Sequence, residues 1–144
     1  MPRISAWSLR AALLWLLAGF SLGGLLLANK GIPFSATIWQ LLGPHVEIVL
    51  VGWMVQLAMS VAFWILPRYQ GGSRGNEKIA GGALLLLNLG VLLVCGQTFN
   101  PLWLAAGRIC EVLAGGLFGL HAWGRVRPLY PPNKPASPGR QTGA

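Results

Sequence analysis

In a chain where only 10% of residues are charged, the polar and titratable side chains inside apolar runs are the ones to weigh first. Arg108 and Glu111 stand three residues apart in an apolar stretch, so on a helix they meet on one face. At about 1.5 Å per residue they lie roughly 9 and 14 Å along their helix. Either charge left alone at that depth in a bilayer would be expensive. Glu47 opens another apolar run and is the expected third member of an ion network. Two uncharged groups, Gln56 and Asn88, fall near the middle of their own runs. The expected polar set is therefore Glu47, Gln56, Asn88, Arg108 and Glu111. It suits either a charge cluster that locks helices together or a path for protons.

Two histidines complete the inventory. His45 starts a helix on which His45, Val49, Gly52, Gln56 and Ser60 share one side at about 100° per residue, with Glu47 nearly opposite. His45 either bonds loop carbonyls at a helix start or serves as an axial haem ligand, with Arg108 as the candidate partner of a haem propionate. His121 reads as an interfacial residue beside Trp123. The two histidines belong to opposite ends of antiparallel helices, across a core ~30 Å thick. One haem within this chain therefore cannot take both. Cys95 and Cys110 lie within apolar runs without metal-ligand spacing and read as small buried residues. No hydrolase triad, phosphate loop or zinc motif occurs, and no catalytic residue is assigned.

These residues are carried by four long apolar segments in 144 residues that are 54% hydrophobic, which predicts an all-α, integral-membrane, four-helix antiparallel bundle. The expected spans are 11–28, 45–66, 79–98 and 102–123, making a transmembrane domain of 11–123. A basic segment, 1–10, precedes it, and a basic, proline-rich tail, 124–144, follows and reads as disordered. Ser35 is placed to cap a short helix, 36–42, which Gly43-Pro44 should end before the second span begins. Gly19 and Gly23 form a small-xxx-small pair on the first span. Gly107, Glu111, Gly115 and Gly119 form a mostly small ridge on the fourth. Asn76 lies in a polar loop, 67–78, and the short turn at 97–101 makes the last two spans a hairpin.

The net charge of +8 does not mark a nucleic-acid binder, because the cations sit at the ends of apolar runs. Arg3, Arg10, Arg68, Arg74, Lys78, Arg125, Arg127, Lys134 and Arg140 fall on one side. Lys30 falls on the other, and Arg108 is inside a span. The positive-inside rule then puts both termini in the cytoplasm of a bacterial or archaeal inner membrane.

His45, the pair Gly52-Trp53 seven residues on, and the exit Ala62-Phe63-Trp64-Ile65-Leu66-Pro67-Arg68 together resemble the second helix of haem–copper oxidase large subunits. The similarity is to the C-type oxidase and bacterial nitric-oxide reductase branch. Arg74-Gly75-Asn76-Glu77, Asn88-Leu89-Gly90, Gly107-Arg108 with Glu111, and His121-Ala122-Trp123 with Arg125-Val126 resemble a group of small four-helix proteins often labelled as such subunits. The resemblance implies haem b on His45 and a place beside respiratory electron-transfer proteins. It does not imply a complete oxidase, since the helices that supply the remaining metal ligands are missing.

Three functions follow as expectations: a haem-b-associated accessory subunit, a cofactor-free structural or assembly subunit of a larger membrane complex, and, last, a small transporter. Glycine on several faces predicts a homo-oligomer or other membrane subunits as partners, and the lipid bilayer as surroundings.

Overall fold

The computed structural model describes residues 2–68 and 75–126. Part of the polar loop (69–74) and the tail from 127, expected to be disordered, lie outside the described residues, as do Arg74, Arg127, Lys134 and Arg140. The described residues are helical, without strands. Four helices, each long and apolar enough to cross a membrane, run up and down. They are α1 (Arg3–Gly31), α2 (Ala36–Ile65), α3 (Glu77–Cys95, extended by one tight turn to Thr98) and α4 (Leu102–Trp123). The segments 32–35 and 99–101 share one end of the bundle, here the loop end. Arg3, the exit of α2, Glu77 and Trp123 share the other, the terminal end.

Helix α1 begins eight residues earlier than expected. Arg3–Arg10 is its first turns, not a separate basic segment, because Ser5 and Ser8 are buried and Ser8 bonds to α2. The chain leaves α1 through Asn29, 2% exposed, whose Oδ1 accepts from the backbone N–H of Phe34 (3.1 Å) and Ser35 (3.0 Å). That bond makes the turn, and the Ser35 side chain makes no cap. Nor does Gly43-Pro44 break the chain. Helix α2 tightens to a 3₁₀ turn over Ala36–Leu41 and becomes α-helical over Leu42–Glu47. It widens to π winding over Ile48–Val55 and is α-helical again over Gln56–Ile65. Proline is tolerated at the change from 3₁₀ to α winding because backbone bonds are already being exchanged there. Asn76 Oδ1 caps α3 by accepting from the Lys78 N–H (3.0 Å). Asn100 Oδ1 does the same for Leu102 at the start of α4 (2.9 Å).

The tightest packing joins α3 to α4, the expected hairpin. A Cβ on Gly107 would stand 2.8 Å from the Gly90 carbonyl oxygen and 2.9 Å from the Val94 nitrogen, and one on Gly90 would stand 3.0 Å from the Gly107 carbonyl oxygen. Only glycine allows the backbones to approach this closely. Helix α1 packs along α2 instead. Met59, Phe63, Ala80, Ala83, Leu84, Leu87, Ala114 and Phe118 form the core in the terminal half. Large apolar side chains on all four helices face outward, among them Leu14, Phe20, Leu50, Leu85, Val112 and Leu120.

Candidate functional site: a carboxylate–guanidinium cluster and a helix-clamping histidine

The stripe on α2 faces α1 along its whole length. Val49 meets Gly19, the Trp15 ring covers Gly52, and Gln56 and Ser60 reach Ser8. At the top of the stripe, His45 Nδ1 lies 2.9 Å from the Gly19 carbonyl oxygen, so this nitrogen carries the proton and donates it. The His45 ring lies across Gly23, where a Cβ would come within 2.8 Å of Cε1. The small-xxx-small pair of α1 is thus the seat of an imidazole, and His45 joins α1 to α2. Donation through Nδ1 leaves Nε2 as the nitrogen with a lone pair, the tautomer a metal-ligating imidazole adopts.

Glu47 points the other way, to α4. Arg108 spans two carboxylates, with Nη2 2.6 Å from Glu47 Oε2 and Nη1 2.7 Å from Glu111 Oε2. The acids are sheltered, with side chains 5% and 10% exposed, while the Arg108 side chain is 49% exposed. Two carboxylates thus share one guanidinium in this cluster. The cluster is positioned by the glycine crossing, because the Glu111 side chain packs onto Gly90. Arg108 does not meet His45, since it engages the opposite side of α2. One propionate-bearing group on His45 would not find Arg108 free, because both guanidinium tips are held by carboxylates.

Gln56 and Asn88 form no network with these charges. Asn88 is held by α1: Trp15 Nε1 donates to its Oδ1 (2.7 Å), and its Nδ2 donates to the Leu84 carbonyl (2.7 Å). Gln56 belongs to a closed ring between α1 and α2. Its Nε2 donates to the Ser8 carbonyl (3.1 Å), the Ser60 hydroxyl donates to the Gln56 carbonyl (2.6 Å), and the Ser8 hydroxyl donates to Ser60 Oγ (2.5 Å). The expected five-residue network is therefore split. Glu47 faces α4 and Gln56 faces α1, and Trp15 fills the space over Gly52 between them.

Sequence reasoning missed Arg125, taken as a topology signal in the tail. It is 1% exposed. Its Nη2 donates to the carbonyls of Phe63 (3.0 Å) and Leu66 (2.7 Å), and its Nε to that of Pro67 (3.0 Å). These are carbonyls that the end of α2 leaves without helical donors. Its guanidinium also lies 5.2 Å from the centre of the Phe63 ring. His121 stacks on the same ring, with centroids 5.7 Å apart, so it packs on α2 in addition to neighbouring Trp123. Cys95 and Cys110 are free thiols, half-buried. Among the described residues, no three His, Cys, Asp or Glu side chains gather as a metal site would require.

No protein-family model, curated protein or solved structure matches this chain.

Proposed function

We propose that this chain is a multi-pass accessory subunit of a larger membrane assembly, and that the outer side of α4 is where it joins its partner. The observation that carries this reading is Arg108. It is half exposed on an otherwise apolar surface, beside Ile109 and Val112, with its two acids sheltered behind it. A guanidinium at that depth gains from a protein neighbour that replaces hydrocarbon. Further along α4, a Cβ at Gly115, Gly116 or Gly119 would meet nothing within 4 Å, so this part of the predicted ridge remains available for a close helix. By the distribution of lysine and arginine, we place the loop end outside an inner membrane and both termini in the cytoplasm.

The test is assembly size in mild detergent and on native gels. Wild type should run well above a monomer in its micelle. Gly115→Leu should fall to monomer size with an unchanged melting temperature, because a Cβ there has open space around it among the described residues. A wild type that is monodisperse and monomeric in several mild detergents overturns the reading.

A second reading is haem b on His45, and one observation favours it: the Nδ1 donation to Gly19, which orients the ring and leaves Nε2 to ligate. In that reading His45 fits the group and Arg108 does not. The haem would supply one-electron redox chemistry, and this chain would supply one axial nitrogen. An oxidised and dithionite-reduced spectrum with a b-type band, lost in His45→Ala, would support it. A flat spectrum from protein expressed with haem supplied would remove it. Transport is the weakest reading, because Trp15 separates the charged cluster from the polar residues of the terminal half.

A further inference from the structure

The terminal half of the bundle holds a cavity of about 430 Å³ between α1 and α3, in the size range of small-molecule sites. Helix α1 packs along α2 and touches α3 only lightly, so the cavity opens sideways between α1 and α3. Its walls run from Arg3 to Ala11 on α1 and from Gly81 to Asn88 on α3, which makes it roughly 10–12 Å long at 1.5 Å per residue. The lining is largely apolar, with Ile4, Leu84 and Leu85, and the polar groups on it belong to Ser8, Gln56, Asn88 and, at one end, Arg3.

Gln56 is completely buried. Its amide orientation is fixed because Nε2 donates to the Ser8 carbonyl. Its Oε1 is buried without a hydrogen-bond partner among the described residues, so its desolvation is uncompensated. Asn88, on the same wall, is already satisfied at both ends of its amide. Gln56 is among the residues that line the cavity, so its Oε1 is an unused acceptor at the wall of a largely apolar cleft. An acceptor selects a donor: a ketone, ether or ester oxygen cannot satisfy Gln56 Oε1, whereas a hydroxyl can.

We infer that this cavity binds a lipid-soluble molecule with a hydroxyl head on an apolar body, of the class of long-chain phenols and hydroquinones, with the hydroxyl donating to Gln56 Oε1. The side opening admits such a molecule from surrounding hydrocarbon. The site is independent of the assembly face on α4 and does not rest on it.

The experiment is calorimetric titration of the full-length, delipidated protein in detergent with 4-octylphenol and with its methyl ether, 4-octylanisole. The two share a ring and a tail and differ in the donor. The phenol should bind about tenfold more tightly, the worth of one good hydrogen bond in a dry site. Gln56→Leu should equalise the two. Because that variant also loses the Ser8 bond, Gly81→Leu provides an independent test. A Cβ there meets only Ile4, at 3.9 Å, so the leucine fills the cavity without displacing backbone. It should abolish binding of both compounds at an unchanged melting temperature. Equal affinity of wild type for phenol and ether would overturn the inference, as would phenol binding that survives Gly81→Leu. A phospholipid that resists delipidation and is lost in Arg3→Ala would also overturn it, by assigning the cavity to a structural lipid.

Discussion

At the scale of single residues, two side chains tie helices together through backbone carbonyls: His45 at Gly19 and Arg125 at the exit of α2. Arg125 satisfies three carbonyls at the end of α2, and hydrogen bonds from a charged donor are worth about 1.5–3 kcal/mol each. Arg125→Ala should therefore destabilise the bundle by at least ~2 kcal/mol in detergent unfolding. Arg125→Lys should recover only part of that loss, because one ammonium cannot reproduce the planar fork. Trp15→Phe removes the donor to Asn88 and should lower stability by about 1 kcal/mol, the usual worth of one polar contact between membrane helices. Circular dichroism across a denaturant series measures both. Arg125 was hidden in the sequence because a basic residue just past a span has the same appearance whether it marks topology or folds back. Only the place where α2 ends distinguishes the two. Glu47, Arg108 and Glu111 were legible as a group, since spacing and the expense of isolated charge both demanded a partner.

At the scale of elements, glycine has two opposite uses. Gly90 and Gly107 hold backbone against backbone, whereas a Cβ on Gly115, Gly116 or Gly119 would meet nothing within 4 Å among the described residues. Gly107→Leu should separate α3 from α4 and lower stability by more than ~3 kcal/mol, at the upper end of overpacking penalties, because the contacts it meets include backbone atoms. Comparing its unfolding curve with that of Gly119→Leu, expected to match wild type, tests the division. The period of the small residues revealed the ridge but could not show which half was occupied. The stripe on α2 was fully legible as a face, and its partner was not: the sequence does not say that α1 lies against it and that His45 Nδ1 meets the Gly19 carbonyl. The start of α1 was misplaced for a related reason. Ser5 and Ser8 look like solvated residues until Ser60 is known to stand opposite Ser8.

At the scale of the whole molecule, two antiparallel pairs are joined at three heights. Arg108 meets Glu47 toward the loop end, Trp15 meets Asn88 in the middle, and Arg125 meets the exit of α2 at the terminal end. A slip of one pair against the other by one turn, 5.4 Å, would break all three contacts together, so the register of the pairs is set by side chains. The number of the helices was plain from apolar length, and the pairing of the last two from the short turn between them, but these cross-ties depend on which faces meet. The covalent link between the pairs is then dispensable. A chain cut after residue 70 and produced as two separate fragments should reassemble, with the second fragment copurifying on a tag carried by the first. Arg125→Ala combined with Trp15→Phe should abolish that complementation even where the uncut double variant still folds, because only the intact chain supplies its own partner at high local concentration.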